Sequence, residues 1–239
     1  MWPFTKKYSL GETDLMKGFT DWHSHILPGV DDGVRTLDES LSILDIYEHV
    51  GVNHLWLTPH VMEDTPNSPA VLRARFAELK EAYKGNVKLH LAAENMLDNL
   101  FDERLAAGDV LPIGEDGMHL LVETSYFTPP FDLDDKITRI KAAGYYPILA
   151  HPERYVYMDD RKYRQLLDMD VKFQLNIYSF TGAYGEDARA KAKHMLKKGW
   201  YSYIGTDTHR IAQLQNALAA KEIHSKDVDR LQVLADRLR

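Results

Sequence analysis

No cysteine occurs among the 239 residues, and that absence removes disulfides, thiolate metal ligands and cysteine nucleophiles together. Any metal held by this chain must be held by histidine, aspartate and glutamate. Long apolar runs are missing too, since none reaches the ~18 residues that a membrane span needs. Positive charge is in deficit: 29 Lys and Arg stand against 36 Asp and Glu, a formal net charge of -7. That balance argues against broad binding to nucleic acid or to anionic membranes. Residues 1–18 contain Trp2, Phe4 and the Lys6-Lys7 pair but nothing like the apolar core of a secretory signal. They read as a short N-terminal extension to a single domain, residues 19–239, and a cytoplasmic address is the expectation. A chain of this length can bury one substantial core.

What is present is a regular alternation of β-type runs and helical stretches. Strands are expected near Phe19–His23, His54–Thr58, Val87–Ala93, Leu120–Glu123, Pro147–Ala150, Lys172–Ile177 and Tyr201–Gly205. Between them lie helical segments, the clearest running from Leu37 to Val50, with Thr36 as its cap, Asp38 and Glu39 in its first turn and Gly51 at its end. Asn67-Ser68-Pro69 opens another, and the last stretch, Asp227–Leu238, is amphipathic. Seven alternations without a Pro/Gly/Ser-rich linker indicate one parallel α/β unit. An open doubly wound sheet and a closed barrel both fit that pattern.

The polar residues break the tie. His23 and His25 close an apolar stretch, and residues i and i+2 of a strand face the same side, so the two imidazoles are delivered together. The acidic turn Gly29-Val30-Asp31-Asp32-Gly33 follows. Most other strands also end in a potential ligand: His60, Glu94, Glu123, His151, and Asp207 with His209. In a barrel the C-terminal strand ends converge on one rim, where active sites are built. In an open sheet the first and last would be too far apart to share a ligand set. The reading is therefore a barrel, with His23, His25, Asp32, His60, Glu94, Glu123, His151, Asp207 and His209 as metal ligands.

Any one of these residues has a plain structural explanation: an acidic strand end is usually a cap or salt-bridge partner, and a lone histidine is often a satisfied core residue. Their recurrence at strand after strand is what points to metal. Nine ligands exceed the roughly four that zinc or six that manganese takes, so two or three divalent ions are implied. Clustered ions can activate water and clamp phosphoryl oxygens. Manganese is the expected ion, and iron, zinc or cobalt suit the same donors. Arg154, three residues past His151, can either grip phosphate oxygens bidentately or pair with the acidic rim. His54 opens a strand, and His90 and His119 lie in the β-runs ahead of Glu94 and Glu123, a few residues below that rim, so all three read as structural.

Several stretches resemble one known family. Asp21-Trp22-His23-Ser24-His25-Ile26-Leu27-Pro28-Gly29-Val30-Asp31-Asp32-Gly33, Thr58-Pro59-His60, Ala150-His151-Pro152-Glu153-Arg154-Tyr155, Phe173-Gln174-Leu175-Asn176 and Gly205-Thr206-Asp207-Thr208-His209 are similar to motifs of the PHP (polymerase and histidinol phosphatase) superfamily. They match in particular its bacterial protein-tyrosine phosphatase branch from polysaccharide-export operons. The resemblance implies a distorted seven-stranded (β/α)7 TIM-like barrel and a trinuclear site. By that resemblance His23, His25, Glu94 and Asp207 would hold one ion. Glu94 would bridge to a second shared with Glu123 and His151, and Asp32, His60 and His209 would hold the third. It also implies a phosphotyrosine-containing protein as substrate, with a bacterial tyrosine kinase as partner, and a phosphate-binding Arg154. An arginine usual after the last motif is missing, and Arg210 is the nearest replacement. A small-molecule phosphatase of histidinol-phosphate type is the alternative.

Overall fold

The computed structural model describes residues 6–238; Trp2 and Phe4 lie outside the described residues. Along the chain run β1 (Lys7–Tyr8), β2 (Thr20–Asp21), α1 (Leu37–Val50), β3 (His54–Leu57), β4 (His60–Val61), α2 (Pro69–Ala82), β5 (Lys88–Leu91), β6 (Glu94–Met96) and α3 (Phe101–Ala107). Then follow β7 (His119–Glu123), α4 (Leu133–Ala142), β8 (Tyr146–Ala150), α5 (Asp160–Asp168), β9 (Lys172–Asn176), α6 (Gly185–Lys198), β10 (Tyr201–Gly205), α7 (Ile211–Ala219), β11 (Ile223–His224) and α8 (Ser225–Asp236).

Local chemistry accounts for the element ends. Thr36 accepts a hydrogen bond from the Glu39 N–H at 3.2 Å, satisfying a donor that the first turn of α1 leaves free. Ser40, Ile43, Leu44 and Tyr47 form the buried stripe of that helix, at the spacing that places side chains on one helical face. Pro69 starts α2 behind a Ser68 cap, where a missing N–H does no harm. β7 and β8 are apolar along most of their length, as expected of parallel strands covered on both faces.

The closed seven-stranded barrel needs correction. Parallel strands form two sheets, one of six in the order β10-β9-β8-β7-β6-β4 and one of three in the order β2-β3-β5, and neither closes on itself. Two expected strands, His54–Thr58 and Val87–Ala93, are each followed by a second short strand that was not expected. Pro59, which has no N–H to give to a ladder, separates β3 from β4. Between β5 and β6 the Ala93 N–H leaves the sheet and donates to Leu111 O at 3.2 Å. Isolated hydrogen bonds still draw the first strand to the last: Trp22 N–H to Ile204 O at 3.2 Å, Asp207 N–H to His23 O at 2.7 Å and His25 N–H to Thr208 O at 2.9 Å. Ends of both sheets thereby meet at one site.

The described part of the N-terminal extension, residues 6–18, is built into the fold. β1 pairs antiparallel with β11, and Leu10, Leu15 and Met16 are buried in the same cluster as Leu231 and Leu234 of α8. No described helix is long and apolar enough to cross a membrane.

Candidate metal centre

All nine sequence-predicted ligands meet at the C-terminal ends of the strands. Their ligand atoms fall into four overlapping groups: His23, His25 and Asp207; His23, Glu94 and His151; His60, Glu94 and Glu123; and His25, Asp32, His60 and His209. Glu94 sits at the middle, with Oε2 3.2 Å from His23 Nε2, 3.2 Å from His25 Nε2 and 3.1 Å from His60 Nδ1, and Oε1 3.0 Å from His151 Nε2. The site grades from closed to open. His23, His25 and Glu94 are fully buried, whereas the Asp32 side chain is 72% exposed and lies 3.5 Å from His60 and 3.4 Å from His209.

Backbone geometry is unusual where it serves this convergence. Among the described residues only His151, Asp170 and Asp207 are non-glycine residues with positive φ, a conformation with a steric cost that side chains rarely adopt. Two of those three, His151 and Asp207, are candidate ligands. Gly205 lets β10 approach β2, because a Cβ there would lie 2.6 Å from the His23 Cβ. Gly33 is equally constrained: its Cβ would fall 2.1 Å from His25 O.

Hydrogen bonds fix where the imidazole protons sit. Gln174 Nε2 donates to Leu175 O at 2.6 Å, which turns Oε1 toward the His151 N–H at 3.3 Å and His23 Nδ1 at 2.9 Å. That oxygen only accepts, so His23 carries its proton on Nδ1. Asp31 does the same for His25 Nδ1 at 2.8 Å while also accepting the His60 N–H at 3.0 Å. The Asp207 carbonyl does it for His209 at 2.9 Å. The Nε2 lone pairs of His23 and His25 therefore face each other at 3.0 Å, with carboxylates on either side. A proton or a metal ion shared between them satisfies that arrangement, and partners of this kind are what orient metal-bound histidines.

The charge balance demands the same. Burial alone would depress the His23 and His25 imidazoliums, but Glu94 and Asp207 beside them, with Asp31 acting on His25, hold both above the usual histidine range. Burial and the neighbouring His25 oppose a proton on His60, yet Glu123 and Glu94 carry it up to about 10. Burial would push Glu94 up; His23 and His151 more than reverse this and hold it well below the usual carboxylate range. The cluster thus gathers positive charge wherever it can. His151 Nδ1 is buried with no hydrogen-bond partner, and His60 Nδ1, 3.1 Å from Glu94 Oε2 and 2.9 Å from Glu123 Oε1, makes no well-directed hydrogen bond to either, against the general rule for buried polar atoms. Divalent ions fit this donor set.

Arg154 lies at the edge of the cluster. Its guanidinium is layered between the Tyr126 and Tyr184 rings, at 4.3 and 4.1 Å from their centroids, and donates to Asp207 Oδ2 at 2.7 Å. Arg210 is placed differently, donating to the carbonyls of Gly33 and His209 and so tying the acidic turn to the last motif. Asp31, Gln174, Tyr126 and Tyr184 had no assigned role in the sequence. Buried polar residues at alternate positions of β9, Gln174 and Asn176, were the available signal; Asn176 Nδ2 donates to Asp207 Oδ2 at 3.0 Å.

Parallel strands ending in a thiol-free cluster of imidazoles and carboxylates define an α/β metalloprotein. A family model described as capsular polysaccharide synthesis, CpsB/CapC, matches residues 19–228, and the chain belongs to that family. Tyrosine-protein phosphatase YwqE of Bacillus subtilis is 24% identical over 202 residues, covering 80% of this chain and 77% of that one. Tyrosine-protein phosphatase CpsB of Streptococcus pneumoniae is 27% identical over 206 residues, covering 80% and 83%. A crystal structure from work on YwqE and CpsB, described as unique metal-dependent tyrosine phosphatases, superposes with a TM-score of 0.75 at 20% identity over 91% of both chains. The lactonase Lmo2620 of Listeria monocytogenes gives a TM-score of 0.55 at 12% identity over 97% of both.

Proposed function

We propose that this chain is a metal-dependent phosphomonoesterase that removes phosphate from tyrosine in protein, and that it acts on a tyrosine kinase to regulate capsular or extracellular polysaccharide synthesis in the cytoplasm. The observation that carries the reading is the paired placement of a nine-ligand cluster and Arg154, a fixed cation at the edge of a site that opens at Asp32, His60 and His209. Family membership and named relatives support it. We read the two sheets, whose ends meet at one site, as a distorted barrel of the PHP type that does not close, formed by a single domain.

Two or three divalent ions, manganese first among them, would be held by His23, His25, Glu94 and Asp207, by Glu94, Glu123 and His151, and by Asp32, His60 and His209. When bound, such ions supply Lewis acidity, activating water and offsetting charge on a phosphoryl group. The chain's own residues do the rest. Gln174, Asp31 and the Asp207 carbonyl hold the ring protons on the Nδ1 atoms, leaving Nε2 free to ligate. Arg154 presents N–H donors suited to phosphate oxygens, its plane fixed by the two tyrosines. Arg210 anchors the acidic turn that carries Asp32. The absence of a cysteine agrees with hydrolysis that forms no thiophosphate intermediate.

Elemental analysis of protein purified without added metal, paired with hydrolysis of a phosphotyrosyl peptide against histidinol phosphate, tests the reading. Bound manganese, iron, zinc or cobalt with preference for the peptide supports it. Preference for histidinol phosphate overturns it.

A further inference from the structure

The three most exposed large apolar side chains among the described residues stand within five positions of Tyr126 or Arg154 in the sequence. Phe131 is fully exposed, Phe127 is 75% exposed and Val156 is 62% exposed. They belong to two segments that each carry a site residue. Phe127 follows Tyr126, whose ring packs on Arg154 and on His151. Val156 lies two residues beyond Arg154, and its N–H donates to Tyr126 O at 2.9 Å, which joins the two segments. Phe131 ends the Pro129-Pro130-Phe131 ridge between two cavities, one of about 450 Å³ toward Met96 and Ser125 and one of about 480 Å³ toward Tyr157. Scattered apolar residues on a surface need no explanation, but a group beside an active-site mouth marks an interaction surface.

Charge narrows the occupant. The ionic groups around the ridge pair with one another: Asp132 and Asp102 with Arg139, and Asp134 with Lys162. Of the acids lining the two cavities only Asp135 has no ionic partner among the described residues, which leaves a single uncompensated negative charge beside the exposed apolar side chains. A tyrosine whose phosphate reaches the buried part of the site leaves its main chain at the rim, against these side chains. We infer that Phe127, Phe131 and Val156 form the docking surface for the polypeptide around the phosphotyrosine, and that they select apolar residues flanking it. This rests on the phosphatase reading and adds the specificity determinant. Aromatic anchors of this kind dominate peptide affinity while neighbouring contacts contribute little.

The manganese-loaded full chain is assayed on p-nitrophenyl phosphate, on a phosphotyrosyl peptide with leucine on both sides of the phosphotyrosine, and on the same peptide with serine there. In the Phe127→Ser/Phe131→Ser double variant, KM for the leucine peptide rises roughly tenfold, the scale of losing one or two buried aromatic contacts. Its preference over the serine peptide disappears, and Phe127→Leu/Phe131→Leu restores much of both. An unchanged KM overturns the inference. So does a parallel fall in kcat/KM for p-nitrophenyl phosphate, which would mean that the ridge acts only by supporting the site. A wild-type chain inactive on all three substrates refutes the phosphatase reading itself, and the docking surface with it.

Discussion

Histidines gather at both ends of the strands, and the two gatherings differ in what surrounds them. At the C-terminal ends His23, His25, His60, His151 and His209 are interleaved with Glu94, Glu123, Asp207 and Asp32, and every candidate metal group among the described residues lies there. At the other end His54, His90 and His119 line a cavity of about 500 Å³ together with Trp22, Trp56 and Tyr203. There His54 Nδ1 and His90 Nε2 share one hydrogen bond at 3.0 Å, and Trp56 stacks on His90 at 4.7 Å. His119 has Asp116 at 3.4 Å, but no second carboxylate joins them in a metal group. An imidazole becomes a ligand when carboxylates stand opposite its lone pair and an acceptor behind the ring fixes its proton. Without them, two imidazoles satisfy each other and stack on indole.

Stripping metal breaks this contrast most directly. Chelation should lower kcat on a phosphotyrosyl peptide at least roughly a hundredfold, the scale of losing preorganised charge stabilisation, and manganese should restore it. Full turnover in a sample shown by elemental analysis to be metal-free would erase the distinction between the two ends.

Unequal ligands should give unequal losses. Glu94→Ala should reduce metal per chain further than Asp32→Ala, because Glu94 contacts four imidazoles at the centre and Asp32 two at the rim. Equal stoichiometry in the two variants would remove Glu94 from its bridging role. His54→Ala, at the opposite end, should leave metal content unchanged.

Arg154→Ala should lower kcat/KM by about tenfold to a few hundredfold with metal content intact, as loss of a charge-assisted bidentate contact does. Arg210→Ala should have the smaller effect, since its guanidinium is engaged by backbone carbonyls. A kinetically silent Arg154→Ala would leave the metal ions alone to hold the phosphate.

The smallest effect is expected at the floor. Burial first and His54 second hold the His90 imidazolium below the usual histidine range. The folded protein therefore resists a proton that the unfolded chain accepts. Stability from this group is present above about pH 6.5, the ordinary histidine value, and is lost as pH falls toward the lower folded pKa. The melting temperature of wild type should drop more between about pH 7 and about pH 5.5 than that of His90→Phe. Equal drops would show that His90 does not titrate as described.

Much of the site was legible because its chemistry is local in sequence. A His-x-His strand end, an Asp-x-His strand end and histidines or acids closing other strands announce ligands without reference to the fold. The Thr36 cap and the Gly51 stop likewise marked α1 to the residue. The partners of those ligands were not legible. Gln174 meets His23 across 151 positions, and the alternating polar residues of β9 mark Gln174 without naming its partner. α7 also went unread, because Arg210 before it gives no side-chain cap and its apolar residues follow the last motif without a strand between. Tyr126 and Tyr184 are ordinary aromatics until both lie against Arg154.

By itself the sequence determined the donor types, their attachment to strand ends and the exclusion of thiol chemistry, since these depend on residue identity and local periodicity. Tertiary structure alone decided which ring nitrogens face the cluster, because the tautomers are set by acceptors from distant strands. It also decided that the strands form two sheets rather than one closed barrel, because Pro59 and the departing Ala93 N–H interrupt ladders that hydrophobic pattern alone would continue.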